Sequence, residues 1–306
     1  TRSLCPADSW PTYVPSVTIR PTAGSPGPGA HGVPSSPAAP GAPGAPGAAG
    51  AHLPHRPPSP GRERRGRAVL LTARGLRVRY AGFTALDGVD LDVPAGRVTA
   101  VVGPNGAGKS TLFHCLAGTV RPVEGRVRLR GRDVTRTAAH ARTRLGVART
   151  FQELAVFPSL TVSENVRIGA EQGRVADPAA VERTLRLLGL DGPVRALPAA
   201  GLPTGTLRRV ELARVLAGSP RVLLLDEPAA GLDSAEVAAL AGVLGALAAD
   251  GMALLVVEHD LDLVADLADV VHVMAAGRIV ASGPPDRVLD AVDSPAVPPD
   301  RPGRLP

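Results

Sequence analysis

The chain has 306 residues, of which 44% are hydrophobic and 20% charged, enough for one large domain or two ordinary ones. Its first 67 residues hold 15 of the 32 prolines and 10 of the 35 glycines, a density typical of low-complexity segments. They also carry seven arginines against two acidic residues, so most of the formal net charge of +6 belongs to this leader and is weak evidence for nucleic-acid binding. We therefore predict a disordered leader over 1–67, one folded domain over 68–290 and a disordered Pro-rich tail over 291–306.

The leader and the two cysteines say little about function. A solvated tail or linker is the plain interpretation of residues 1–67, and a membrane contact through the basic residues of Arg62–Arg67 is the alternative. Cys5 and Cys115 are too few for a disulfide framework, which indicates a reducing compartment.

Alternating strands and helices follow the leader. Apolar residues alternate with polar ones in three predicted half-buried strands: Leu76–Tyr80, Ala85–Val93 and Gly125–Leu129. Short apolar runs predict four buried strands: Val98–Val102, Val222–Leu225, Ala253–Val257 and Val270–Met274. Helical periodicity covers Val162–Leu188 and Arg208–Leu216. This order predicts an α/β fold whose mainly parallel sheet has helices on both faces, with the early antiparallel strands as a side layer.

One apolar stretch, Val237–Val257, mimics a membrane span because Asp250 is its only charged residue. Asp250 and Gly251 form a turn signal that breaks the run. We therefore predict a core helix to about Ala249 followed by the buried strand Ala253–Val257.

A glycine-rich loop directly follows the predicted strand Val98–Val102 and matches G-x-x-x-x-G-K-[ST] in full. Its small residues let backbone N–H groups surround phosphate oxygens, and the next helix presents its positive end to the same anion. Lys109 is the single lysine among 34 basic residues, and its flexible ammonium suits the β- and γ-phosphates better than a planar guanidinium does. Ser110 offers a hydroxyl to Mg²⁺. The predicted phosphate-binding residues are Gly103, Pro104, Asn105, Gly106, Ala107, Gly108, Lys109, Ser110 and Thr111.

Two adjacent carboxylates, Asp226 and Glu227, directly follow the predicted strand Val222–Leu225. Side chains alternate across a strand, so one acid can hold the Mg²⁺ shell while the next reaches the attacking water. We assign Asp226 to the metal and Glu227 to the general base, and we expect the site to be idle without Mg²⁺. The alternative is that Asp-Glu-Pro only caps the following helix.

These residues resemble the ATP-binding cassette (ABC) ATPases over nearly all of residues 74–290. The resemblance implies a P-loop NTPase fold with a mainly parallel core sheet, an antiparallel side layer and a short helical subdomain. By it, Gln152 senses Mg²⁺ and the γ-phosphate, His259 contacts the γ-phosphate, and Tyr80 stacks on adenine. Asp233 acts across the interface of a dimer. Taken singly, Gln152, His259 and Tyr80 each have an ordinary structural interpretation, whereas their order and spacing together are specific.

The signature loop of the family, usually Leu-Ser-Gly-Gly-Gln, corresponds to Leu202-Pro-Thr-Gly-Thr206. The leucine and the second glycine, Leu202 and Gly205, are kept, and the serine and glutamine are not. In the family this loop caps the ATP of the other subunit. Because the helix after it is retained, Gly205 and the helix end still offer N–H groups to phosphate, and we expect an active but slow site.

Within the family, the sequence is similar to the ATPases of branched-chain amino acid importers, for example in Gly146–Gln152 and Glu258–Val264. The segment from Asn165 to Leu202 is shorter than the helical arm of that group. The similarity implies an ATPase that uses ATP and Mg²⁺ on the cytoplasmic face of the plasma membrane, bound peripherally through an integral membrane permease. Its other partners are a second ATPase subunit, identical or different, and indirectly an extracytoplasmic solute-binding protein, and no nucleic acid is expected.

Two other classes stay open. A soluble ABC ATPase of ribosomes or DNA would carry two cassettes or a long coiled coil, and neither pattern occurs in this sequence. A nucleotide-binding regulator with low turnover is suggested by the altered signature loop.

Overall fold

The computed structural model describes residues 68–150 and 155–293. The predicted leader 1–67, the predicted Mg²⁺ sensor Gln152 and residues 294–306 of the predicted tail lie outside the described residues. The boundaries of the three predicted segments therefore stay a prediction.

Ten strands and eight α-helices occupy the described ranges. The strands are β1 (Val69–Tyr80), β2 (Phe83–Pro94), β3 (Arg97–Val102), β4 (Glu124–Leu129), β5 (Arg132–Asp133), β6 (Val147–Arg149), β7 (Val222–Asp226), β8 (Ala253–Val257), β9 (Val270–Ala275) and β10 (Arg278–Gly283). The helices are α1 (Lys109–Ala117), α2 (Ala139–Arg144), α3 (Val162–Gly173), α4 (Ala180–Leu187), α5 (Thr204–Ala217), α6 (Ser234–Ala249), α7 (Leu261–Leu267) and α8 (Pro285–Asp293).

The central sheet has the strand order β10-β9-β3-β8-β7-β6, and only β10 runs antiparallel to its neighbour. Strands β7 and β8 are buried along their whole length. Their alternate side chains enter two cores: Leu224 and Leu255 pack with α1, whereas Leu223 and Leu254 pack with α5 and α6. Covering on both faces explains why these strands are continuous apolar runs. The prediction of a mainly parallel core sheet is confirmed.

The predicted side layer is a second sheet, antiparallel throughout, with the order β2-β1-β4-β5. Its inward residues, including Leu71 and Leu76, join the core around α1. Strand β1 begins seven residues before the predicted Leu76 because Leu71 and Ala73 continue the buried alternation. The side layer therefore packs beside the loop that precedes α1.

The predicted helical stretch Val162–Leu188 is interrupted. Helix α3 ends at Gly173, where Arg174 takes the left-handed backbone with φ 54°, and α4 starts only after Pro178. Proline lacks the N–H that a continuing helix needs. Helix α3 crosses α5 at such close range that a Cβ on Gly169 would stand 1.7 Å from the carbonyl oxygen of Arg214. Close packing of the two helices thus requires glycine there.

The apolar stretch from Val237 is a helix followed by a strand, as predicted. Helix α6 ends at Ala249, Asp250 and Gly251 make the turn, and β8 starts at Ala253. Among the described residues, no helix combines the length and the apolar character that a membrane crossing requires.

Candidate nucleotide-binding site

The predicted site residues converge on one edge of the central sheet. Strands β3, β7 and β8 are parallel neighbours, and their carboxyl ends carry the glycine-rich loop, the Asp226–Glu227 pair and the Glu258–His259 pair respectively. In open α/β sheets, ligands bind outside the carboxyl ends of the strands.

The glycine-rich loop leads from β3 directly into α1. Gly103 and Gly108 have φ values of 147° and 102°, which favour glycine. A Cβ on Gly103 would lie 2.2 Å from the carbonyl oxygen of Met274, and one on Gly108 would lie 2.5 Å from that of Ala85. The N-cap of α1 is Gly108, so no side chain caps the first N–H groups of this helix. The loop is therefore a backbone cradle whose donors suit an anion.

Lys109 is buried at the base of this cradle, with a relative exposure of 6%. Its Nζ donates to the carbonyl oxygens of Gly103 at 2.6 Å and Pro104 at 3.0 Å. Burial lowers the pKa of Lys109, and the negative charges of Glu227 and Asp226 oppose that shift. A buried ammonium whose hydrogen-bond acceptors are neutral carbonyls fits a phosphate as its further partner.

Asp226 ends β7 with a relative exposure of 6%. Its backbone N–H donates to the hydroxyl of Thr150 at 3.3 Å, which joins the ends of β7 and β6. Burial raises the pKa of Asp226, the adjacent charge of Glu227 raises it further, and His114, Lys109 and Arg149 oppose the shift. A divalent cation would relieve both unfavourable effects, and Ser110, at the exposed start of α1, adds a hydroxyl oxygen. These oxygen donors fit Mg²⁺.

Glu227 follows Asp226 with a left-handed backbone, φ 47°, which is unusual for a residue other than glycine. Its N–H donates to the carbonyl oxygen of Val257 at 2.9 Å, so the ends of β7 and β8 are held together. Its Oε1 lies 2.8 Å from Nε2 of His259 in a hydrogen bond. The structure thus brings the predicted base and the predicted γ-phosphate contact together.

A second carboxylate, Glu258, is buried beside this pair with a relative exposure of 4%. Its Oε1 accepts from the N–H of Ala229 at 2.9 Å and its Oε2 from the N–H of His259 at 3.0 Å. Glu258 is absent from the sequence-predicted site residues. The signal that marks Asp226 and Glu227, acids at the end of a buried strand, also marks Glu258.

Tyr80 and Asp233, two further predicted site residues, lie at the ends of other elements. Tyr80 ends β1 and is 48% exposed, opposite Phe83 across a two-residue turn. Asp233 is the N-cap of α6 and exchanges two hydrogen bonds with Glu236, so it also has a structural role as a helix cap. The structural alternative for Asp226 and Glu227 does not hold, because neither caps a helix.

The signature residues lie at the start of α5. Pro203 is the N-cap and offers no side-chain hydrogen bond to the helix. Gly205 is buried so closely against the carboxylate of Glu236 that a Cβ would meet Oε1 at 1.7 Å. Leu202 packs on the helical core. Gly205 and Asp233 line a cavity of about 470 Å³ between α5 and α6.

A glycine cradle with a buried lysine after β3 and an acid pair at the same edge of the sheet, after β7, define a P-loop nucleotide-binding protein. The family model for ABC transporters matches residues 86–230. The chain is 34% identical over 245 residues to the high-affinity branched-chain amino acid transport ATP-binding protein BraF of Pseudomonas aeruginosa. The aligned region covers 73% of this chain and 95% of that protein. The chain belongs to the ABC transporter ATP-binding family.

Other relatives and solved structures agree with the family. A ribose import ATP-binding protein of Mesorhizobium japonicum is 39% identical over 219 residues, which is 70% of this chain but 42% of that protein. The chain thus spans less than half the length of its ribose import relatives. The crystal structure of a nucleotide-free ATP-binding cassette from an ABC transporter superposes with a TM-score of 0.67 at 30% identity, covering 74% of this chain and 96% of the other. An ADP conformation of such a cassette gives 0.68 with the same identity and coverage.

Proposed function

We propose that the chain is the ATP-hydrolysing subunit of an ABC importer, bound to a membrane permease at the cytoplasmic face of the plasma membrane. The observation that carries the proposal is the 2.8 Å hydrogen bond between Glu227 and His259 at the sheet edge where Lys109 closes the phosphate cradle. A carboxylate can take the proton of an attacking water, and an ammonium and an imidazole N–H can stabilise the charge on the phosphates.

The nucleotide is held by groups of three kinds. The backbone N–H groups of Gly103–Gly108 and the start of α1 surround the phosphates, and Lys109 exchanges its carbonyl acceptors for β- and γ-phosphate oxygens. Tyr80 offers its exposed ring to adenine. Ser110, Asp226 and Gln152 would hold Mg²⁺, which when bound supplies positive charge to the phosphates. Gln152 takes this role from the family resemblance alone.

Hydrolysis follows from the position of Glu227. Its carboxylate takes a proton from water while the water oxygen bonds to the γ-phosphorus and the bond from that phosphorus to the bridging oxygen breaks. His259 donates a hydrogen bond to the γ-phosphate. The same imidazole is hydrogen-bonded through Nε2 to Oε1 of Glu227, so the base and the γ-phosphate contact act side by side.

Coupling to transport requires two copies of the cassette. Leu202, Gly205 and the N-terminal N–H groups of α5 face the nucleotide of the partner, and Asp233 lies at the shared interface. ATP binds the closed pair more tightly than the open one and so favours closure. The closing movement is transmitted to the bound permease. A solute-binding protein outside the cell completes the importer.

We propose that the transported solute is a branched-chain or other amino acid. The support is the relative BraF, whose length is covered to 95%, whereas the ribose import relative is covered to 42%. Ribose is the second candidate because the identity is higher there, 39% against 34%.

A nucleotide-binding regulator with low turnover is a second candidate function. The observation that favours it is Pro203 at the start of α5, where the family places a serine. Lack of a polar side chain there weakens the contact with the nucleotide of the partner.

Phosphate release by the full chain with Mg²⁺ and ATP tests hydrolysis. We expect turnover by the wild-type chain and by Glu171→Gln, an exposed change on α3, and none by Glu227→Gln. Equal rates in all three would refute the role of Glu227, and no release with or without the permease would favour the regulator. Uptake of labelled leucine and of labelled ribose, in cells that carry the wild type or Glu227→Gln, then distinguishes the two solutes.

A further inference from the structure

The carboxylate of Glu258 joins two chain segments that each carry a proposed catalytic residue. Its two oxygens accept from the N–H of Ala229, two residues after Glu227, and from the N–H of His259. At a relative exposure of 4%, the charged group is removed from water and receives a backbone donor on each oxygen. One side chain thus fixes the backbone on both sides of the Glu227–His259 pair.

Two further hydrogen bonds join the same two chain segments. The N–H of Glu227 donates to the carbonyl oxygen of Val257, and Oε1 of Glu227 meets Nε2 of His259. Glu227 takes a left-handed backbone, which is strained for a residue other than glycine and persists only where the surroundings hold it. The link through Glu258 begins at Ala229, two residues beyond this strained residue. The hydrogen bond from Ala229 to Glu258 therefore keeps the backbone at Glu227 from relaxing to an unstrained conformation.

We propose that Glu258 is a positioning residue, whose carboxylate sets the relative placement of Glu227 and His259 by binding the N–H groups of Ala229 and His259. The effect of Glu258 on turnover rests on the proposed function, but its two hydrogen bonds are part of the fold itself. A buried carboxylate is costly to retain where an apolar side chain would pack, and its two acceptor atoms supply what a neutral side chain does not.

Glu258→Gln is the first variant, because it keeps the size of the side chain while its NH₂ group cannot accept from an N–H. Misplacement of catalytic groups by a fraction of an ångström lowers turnover steeply, so we expect kcat to fall about 10-fold or more with KM for ATP within about twofold. Glu258→Asp keeps the charge and both acceptors one methylene further back, and we expect it to regain part of kcat. If Glu258→Gln does not fold, the kcat of Glu258→Asp relative to the wild type tests the proposal instead.

Glu164→Gln is the matched control. Glu164 also accepts two hydrogen bonds, from the N–H and the hydroxyl of Thr161, but it is exposed and belongs to the capping box at the start of α3. We expect kcat within about twofold of wild type. An equal loss of kcat in Glu164→Gln and Glu258→Gln would overturn the proposal.

A double-mutant cycle with His259→Ala separates positioning from general stability. If Glu258 acts through His259, Glu258→Gln changes the residual kcat by less than about twofold once His259 is absent. The same fold loss in both backgrounds would overturn the positioning of His259 by Glu258.

NMR of the nucleotide-free full chain, with labelled histidine and alanine, tests the link without hydrolysis. We expect Glu258→Gln to shift the imidazole signal of His259 and to speed exchange of the Ala229 amide, and Glu164→Gln to leave both unchanged. Unchanged signals in Glu258→Gln would overturn the role of Glu258 whether or not the wild type hydrolyses ATP. Shifted signals with no phosphate release by the wild type would refute the proposed function and leave the link established.

Discussion

Nζ of Lys109 lies 2.6 Å from the carbonyl oxygen of Gly103, to which it donates a hydrogen bond. The ammonium is buried and also donates to the carbonyl oxygen of Pro104, so a planar guanidinium, which is larger and donates in a fixed fork, does not fit the same place. We predict that Lys109→Arg lowers the affinity for ATP about 10-fold or more, nearly as far as Lys109→Ala, by isothermal titration calorimetry.

Arg186→Lys is the control for this exchange, because Arg186 is exposed on α4. Its affinity for ATP should equal that of the wild type. If Lys109→Arg bound ATP with wild-type affinity, a general positive charge would suffice and the geometry of the cradle would not matter.

Glu227→Gln should accumulate the ATP-bound dimer. The amide cannot take the proton from water, so the closed pair that ATP favours does not reopen by hydrolysis. Size-exclusion chromatography of this variant with ATP and Mg²⁺ should give a dimer, and with ADP a monomer. A monomer under both conditions would contradict the composite site that pairs the loop of one copy with Gly205 of the other.

Replacement of the buried Arg142 should destabilise the protein strongly. Its guanidinium is fully buried and donates to the carbonyl oxygens of Cys115 and Leu116 at the end of α1, both at 2.7 Å, and also to those of Thr135 and Thr137. Arg142→Leu leaves these carbonyls without that donor, and we expect a loss of about 3–5 kcal/mol in the free energy of unfolding by urea titration.

Arg144→Leu is the comparison for Arg142→Leu, since Arg144 lies two residues further along α2 and is exposed. Surface changes of this kind usually alter stability by about 0.5 kcal/mol or less. Similar losses in the two variants would mean that the buried hydrogen bonds contribute little.

Much of the fold could be predicted because buried parallel strands have an unmistakable pattern. The runs that became β3, β7 and β8 were predicted to within one residue at each end. The short strand β6 and the hairpin strand β10, whose side chains alternate between half-buried and exposed, have no such pattern. The break between α3 and α4 was missed although Pro178 marks it, because the apolar periodicity continues across it.

The candidate site was predictable where function resides in a contiguous segment. The glycine loop with Lys109 and the acid pair at the end of β7 are each readable from neighbouring residues. The partners of Glu258 and Arg142 come from segments distant along the chain, so only the fold assigns them. The left-handed backbone of Glu227 was also unpredictable, since glutamate has no intrinsic preference for it.

Pro203→Ser should raise both stability and turnover. Pro203 holds the extended backbone of an N-cap, φ −57° and ψ 150°, which serine also adopts. A serine hydroxyl caps the first turn of α5 and is worth about 1 kcal/mol in the free energy of unfolding. If the altered signature loop limits hydrolysis, kcat should rise several-fold. Pro198→Ser, at another exposed proline, should change neither quantity, and unchanged turnover in Pro203→Ser would show that the lost serine is not what limits the site.

Asp226→Asn should stabilise the nucleotide-free protein while abolishing its function. The pKa of Asp226 is raised in the fold, so the contribution of this group to stability is fully present below the unfolded pKa of about 3.9 and is lost as pH rises through the folded value. An asparagine does not ionise, so the urea midpoint of Asp226→Asn should exceed that of the wild type at pH 7, and the difference should shrink as the pH approaches 4. The amide is also a poor ligand for Mg²⁺, so phosphate release should fall to background. A midpoint below that of the wild type at pH 7 would mean that the neighbouring cations Lys109 and Arg149 outweigh the cost of burying the carboxylate.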